Sequence, residues 1–140
     1  MMFYREMTGD DYEAAYGLWA GTEGMGLSKA DSRDEILRFL DRNPGLSQIC
    51  VTEEGELAGT ALCGHDGRRG FLYHVAVNGK YRGKGIGKGM VTRCLQGLQA
   101  AGIAKCHIIV IEDNAVGRRF WEFAGWELRN GLVLYSSSTV

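Results

Sequence analysis

Proline is nearly missing from this chain: Pro44 is the only one in 140 residues. With 45% hydrophobic and 24% charged residues, that scarcity excludes a disordered or low-complexity linker, and the length suits one domain over 1–140. Long apolar runs are missing too. None reaches the roughly 18 residues of a spanning helix, and the opening MMFYREMTGDDYE carries charges where a leader would be apolar. A soluble, cytoplasmic protein without membrane contact is expected. Cysteine is sparse and scattered. Cys50, Cys63, Cys94 and Cys106 form no C-x-x-C pair and fall in apolar stretches, so they read as buried thiols, with no metal site and no disulfide framework.

Acid is absent from residues 67–93, which hold seven bases: Arg68, Arg69, Lys80, Arg82, Lys84, Lys88 and Arg93. Residues 1–35 show the opposite bias, eight acids against three bases, a net of −5. One stretch favours anions and the other cations, although the whole chain is only −1.

Hydrophobic spacing gives the order of elements. MFYREM reads as a strand, and Thr8 or Asp10 opens a helix carrying Tyr12, Ala15, Tyr16 and Trp19 on one face. Ser32 and Glu35 have capping-box spacing before a second helix that ends at Asn43-Pro44-Gly45. Residues 47–77 read as three strands joined by turns at EEGE and DGRR, an antiparallel meander. A helix from near Gly85 to Gly102, a buried strand KCHIIVI, a short helix from Asn114 to Gly125 and a closing hairpin around Asn130 and Gly131 complete the chain.

The segment YRGKGIGKGM, residues 81–90, places Gly83, Gly85, Gly87 and Gly89 at alternate positions, with Arg82, Lys84 and Lys88 between them. It joins a strand ending near Val77 to the next helix. A glycine-rich turn there exposes unpaired N–H groups at the positive end of a helix and lets a phosphate approach the backbone. Neither G-x-x-x-x-G-K-[ST] nor G-x-G-x-x-G fits, since Met90 stands where the last glycine of the second pattern would fall. The segment therefore predicts an anion cradle other than a P-loop or a dinucleotide fingerprint.

Two motifs together resemble the GNAT superfamily of N-acetyltransferases. Its Arg/Gln-x-x-Gly-x-Gly/Ala signature reads Arg82-Gly83-Lys84-Gly85-Ile86-Gly87, and its Asn-x-x-Ala-x-x-Phe-Tyr pattern reads from Asn114 to Trp126, with Phe120-Trp121 in place of Phe-Tyr. The resemblance spans 71–126; residues 1–65 agree only in element order. It implies an α/β (α+β) fold with a mixed, largely antiparallel sheet of about seven strands, splayed in the middle and flanked by about four helices. It also implies acetyl-CoA as co-substrate. The N–H groups of Arg82, Gly83, Lys84, Gly85, Ile86, Gly87 and Lys88 would hold the pyrophosphate, and Val75, Ala76 and Val77 would pair with the pantetheine arm, with Asn114 and Trp121 beside it.

The activity implied is acetyl transfer to a primary amine by direct attack in a ternary complex. The family's acid, a tyrosine, is replaced here by Trp121, whose indole donates a hydrogen bond but releases no proton at ordinary pH. The glutamate that some members use as base would fall near Ile109. His74, on the strand before the cradle, is the first candidate for proton transfer, with Tyr73 beside it and Glu112, Asp66 and Tyr135 behind. A histidine held inert on the other strand face remains the alternative. The acceptor, a small-molecule or peptide amine, is expected at Trp19, Glu23 and Met25, an aromatic and a carboxylate in a glycine-rich stretch suited to a cation. A homodimer stays open. A silent acyl-CoA-binding module is the rival reading; nucleic acid is not expected, for aromatics among the bases are few.

Overall fold

The computed structural model describes residues 1–140. Strand β1 (Met2–Glu6) runs into a 3-10 turn whose Asp11 carboxylate accepts from the Thr8 N–H at 2.9 Å, and helix α1 (Tyr12–Ala20) follows. A second 3-10 turn (Lys29–Asp31) precedes α2 (Arg33–Arg42). Ser32 caps α2 by accepting from the Glu35 N–H at 3.4 Å, but the return half of the expected box is not made: Glu35 pairs with Arg38 instead. The meander forms as anticipated, with β2 (Gln48–Thr52), β3 (Leu57–His65) and β4 (Gly70–Val77). Its second turn is shaped by Asp66, whose carboxylate accepts from the N–H groups of Arg68 and Arg69, each at 2.8 Å. Helix α3 (Ile86–Ala100), strand β5 (Cys106–Ile108) and helix α4 (Ala115–Phe123) end the regular structure.

The sheet has the order β1-β2-β3-β4-β5, antiparallel throughout except for the parallel pair β4–β5. Helix α3 packs on one face through Ile86, Met90, Cys94 and Leu98, meeting Cys50, Cys63 and Leu72. The other face is covered by α1 and α2 through Tyr12, Ala15, Trp19 and Ile36 on Ile49, Leu62 and Ala76. The two buried faces follow from strands whose apolar residues point alternately up and down.

Five strands form rather than about seven. The Asn130–Gly131 turn is made, with Gly131 at φ 85°, but its arms pair with nothing, and Leu132, Val133 and Leu134 are exposed. The KCHIIVI stretch pairs only over Cys106–Ile108. A lone two-stranded hairpin is marginal in water, and β5 leaves β4 too early to give it an edge.

Candidate active site

The β4–β5 ladder stops at Leu72 opposite Ile108. Beyond it β4 continues to Val77 with no strand on that side, so the sheet is splayed where the sequence reading puts the cleft. The loop that follows delivers the chain to α3. None of the seven backbone N–H groups from Arg82 to Lys88 is donated to a protein acceptor; the first intrachain donor is Gly89, to the Gly85 carbonyl at 2.9 Å. Arg82, Lys84 and Lys88 are exposed and paired with no carboxylate, and the Arg82 Nε rests on the Val77 carbonyl at 3.2 Å. Seven free donors and three free cations at a helix N-terminus suit a bound polyanion.

The four alternating glycines divide into two kinds. Gly83 and Gly85 sit at φ 79° and 77°, and a Cβ on either would touch nothing within 4 Å. They are there for a left-handed backbone open to a ligand. Gly87 and Gly89 face inward, where a Cβ would meet the Phe120 ring at 3.0 Å in one case and the Tyr4 hydroxyl in the other. They give helix room, and that distinction is invisible in the spacing.

Strand β4 carries a bulge. Thr60 pairs with Ala76 but Leu62 with Tyr73, so His74 and Val75 together oppose Ala61. His74 is the only non-glycine residue with positive φ, 49°, a conformation that costs about 1–3 kcal/mol and persists only where its surroundings fix it. Pleating would send Tyr73 and His74 to opposite faces; the bulge turns both toward the helices. Tyr73 packs edge-on to Phe39 of α2 at 5.9 Å between centroids, and His74 lies 4.7 Å from Trp19 of α1. Burial raises the Tyr73 pKa, and Cys106 adds to the rise.

Around His74 the contacts are specific. Its carbonyl accepts from the Thr60 hydroxyl at 2.8 Å, and that hydroxyl accepts from the Trp19 indole at 2.9 Å. Its Nε2 lies 2.5 Å from the carboxylate of Asp31, itself 7% exposed. Sequence reasoning missed Asp31 and Thr60, because neither lies in a motif and Asp31 is 43 positions from His74.

The other expected residues are distributed unevenly. Trp19 is fully buried and offers an acceptor no surface, since its ring fills the space under the bulge. Glu23 is exposed with no ion-pair partner, and Met25 is half-buried. Their loop crosses the splay: a Cβ on Gly26 would lie 3.6 Å from the Ile111 side chain. Asn114 caps α4 by accepting from the Gly117 N–H at 3.0 Å. Trp121 is nearly buried between Phe120 and Trp126, 4.9 and 4.6 Å away, so its indole is a core group. Val75 and Val77 pack toward α3 and Ala76 toward α1, leaving their backbone as the part available in the cleft. Asp66 shapes a turn at the far end of β4, Tyr135 stands exposed in the unpaired tail, and Glu112 contributes its carbonyl to Arg118. No three His, Cys, Asp or Glu side chains converge as a metal site, and no helix is long and apolar enough to cross a membrane.

A splayed mixed sheet with unpaired main-chain donors at its mouth defines an α/β scaffold open to an anionic ligand. The acetyltransferase (GNAT) family's sequence profile matches residues 10–126, and an acetyltransferase of Pectobacterium atrosepticum is 36% identical over 107 residues, 75% of this chain and 73% of its own. The chain belongs to the acetyltransferase (GNAT) family and is an acyltransferase. Solved structures share the fold. PaiA N-acetyltransferase of Thermoplasma acidophilum, in complex with coenzyme A, superposes with a TM-score of 0.78 at 18% identity, covering 92% of this chain and 91% of its own. AAC(6')-Iy with a bisubstrate analog gives 0.73 at 17% identity, covering 99% of each.

Proposed function

We propose that this protein transfers the acetyl group of acetyl-CoA to a primary amine of a small molecule or peptide, by direct attack within a ternary complex. One observation carries the reading: seven unpaired main-chain donors from Arg82 to Lys88, flanked by three unpaired cations, open beside the free edge of β4. The pyrophosphate takes those donors, and the pantetheine arm lies along Val75–Val77, with Asn114 across the splay. Two proteins of this fold, one with coenzyme A and one with a CoA-linked analog, support that assignment of the groove.

Acetyl transfer forms a nitrogen–carbon bond and breaks the carbon–sulfur bond. The neutral amine gives up one proton and the departing thiolate takes one up. A backbone N–H of the free edge near Val77 stabilises charge building on the carbonyl oxygen. His74 accepts the amine's proton, and Glu23, exposed and unpaired, draws the cationic acceptor toward the cleft before it deprotonates. Return of the proton from His74 through solvent neutralises the thiolate, so Trp121 has no proton to supply.

Calorimetric titration with CoA and a free-thiol assay over lysine, a peptide with a free N-terminus and its N-blocked form test the reading. Binding with turnover of unblocked amines only is expected. No CoA binding overturns the assignment, whereas tight binding without turnover favours a silent acyl-CoA module.

A further inference from the structure

We propose that Asp31 is a positioning residue that fixes the protonation geometry of His74, presenting Nδ1 as the proton-accepting nitrogen. The proposal deepens the assignment of His74 above and rests on it.

Asp31 ends the 3-10 turn before α2 and is held from several sides. One carboxylate oxygen accepts from the Ser28 N–H at 2.9 Å, and its carbonyl accepts from the Tyr12 hydroxyl at 2.6 Å. The other oxygen meets His74 Nε2 at 2.5 Å. An ionised carboxylate can only accept, so Nε2 carries the hydrogen and the lone pair of the neutral ring lies on Nδ1. That nitrogen has no protein partner, yet no buried side-chain nitrogen or oxygen lacks one. Nδ1 is therefore the ring atom left open to solvent.

Further contacts hold both the ring and the backbone of His74. Trp19 lies against one side of it, and the Thr60 hydroxyl holds the His74 carbonyl while accepting from the Trp19 indole. The left-handed backbone at His74 is thus fixed by β3, α1 and the turn before α2 together. During transfer one proton moves from the amine to Nδ1, giving an imidazolium whose Nε2–H still faces the carboxylate. It then leaves to solvent or to the thiolate, and Asp31 keeps its charge throughout.

Asp31→Asn is the informative change. The Ser28 N–H must keep an oxygen opposite it, so the amide NH2 turns toward Nε2 and makes that nitrogen the acceptor. Nδ1 then carries the hydrogen and cannot take a proton. We expect kcat to fall about 10²-fold or more with the KM for acetyl-CoA within about twofold. The 15N signature of His74 should change from an Nε2–H to an Nδ1–H tautomer. In a His74→Ala background, Asp31→Asn should have no further effect on kcat, as required if it acts only through the ring. Unchanged kcat in Asp31→Asn, or a loss that adds to that of His74→Ala, overturns the proposal. An Nδ1–H tautomer in the unmodified protein does so without any variant, and this measurement decides the matter if Asp31→Asn fails to fold. Should His74→Ala itself turn over normally, the proton-acceptor assignment fails instead, and Asp31 is left as a structural cap.

Discussion

Gly24, in the loop between α1 and α2, stands against Asn114 at the start of α4: a Cβ on Gly24 would come within 2.7 Å of the Asn114 Nδ2. The α1–α2 loop and the far wall of the splay therefore touch through the one residue type that leaves room, and Gly24 also holds φ 76°. Gly24→Ala should cost about 1–3 kcal/mol in thermal unfolding and raise the KM values for amine and acetyl-CoA together, because Asn114 is displaced. An effect on stability alone would mean the contact has no bearing on the cleft.

The two kinds of glycine in the cradle should separate by measurement. A Cβ at Gly85 meets nothing within 4 Å, so the folding cost of Gly85→Val is chiefly the left-handed backbone, about 1–3 kcal/mol, while its branched side chain blocks the approach of a phosphate. CoA affinity by calorimetry should fall at least ~10-fold, or about 1.4 kcal/mol. Gly89→Ala drives a methyl against the Tyr4 hydroxyl and should destabilise by about 1–3 kcal/mol with CoA affinity retained.

Thr60→Val keeps the shape but removes the hydroxyl that joins Trp19 to the His74 carbonyl. The indole N–H is then buried without an acceptor, which costs about 1–3 kcal/mol by urea unfolding. Turnover should drop by more than the lost stability accounts for, since the bulge that aims His74 loses its clasp. Wild-type kcat in a destabilised variant would contradict that coupling.

Acid should weaken the first strand's attachment to the turn after it. Burial pushes the Asp11 carboxyl up, but the hydrogen bonds from Arg5 and from the Thr8 N–H, with the Arg5 charge, outweigh it and hold the pKa below its ordinary value. A depressed folded-state pKa gives stability that is present above the unfolded value, near 3.9, and is lost as pH falls through the folded one. Urea midpoints should therefore decline below about pH 4, and Asp11→Asn should flatten that part of the curve.

The thiols should be inert. Burial raises the Cys50 pKa; Cys94 is raised by its hydrogen bond with Cys63 and by burial, and Cys106 is pushed up to about 12 by burial and by Cys63. At pH 8 an aromatic disulfide reagent should label these three only as fast as the protein unfolds, with activity unaffected meanwhile. Rapid labelling with loss of turnover would contradict this.

Much of the fold is legible along the chain because local rules produce it. Ile86, Met90, Cys94 and Leu98 recur at helical spacing and do pack on the sheet. Asp66 and Asn114 hold the turn and the cap their residue types favour. The closing hairpin does not follow from its own residues, because a turn at Asn130–Gly131 needs a third strand beside its arms and β5 ends too soon to be one. Trp19, read beside a glycine-rich stretch, and Trp121, read within a motif, share one difficulty: the burial of an aromatic is decided by what lies over it.

Sequence alone determined the cradle. Glycine's permissive backbone, a helix start and three unopposed cations are all properties of consecutive residues, and together they require unpaired N–H groups next to positive charge. Only the tertiary structure decided which side chains stand together beside the splay. One extra residue in β4 turns Tyr73 and His74 to the same face, and a carboxylate from 43 positions away closes on the ring. Strand register and long-range burial are set by the packing of whole elements against one another, and no window of neighbouring residues contains that information.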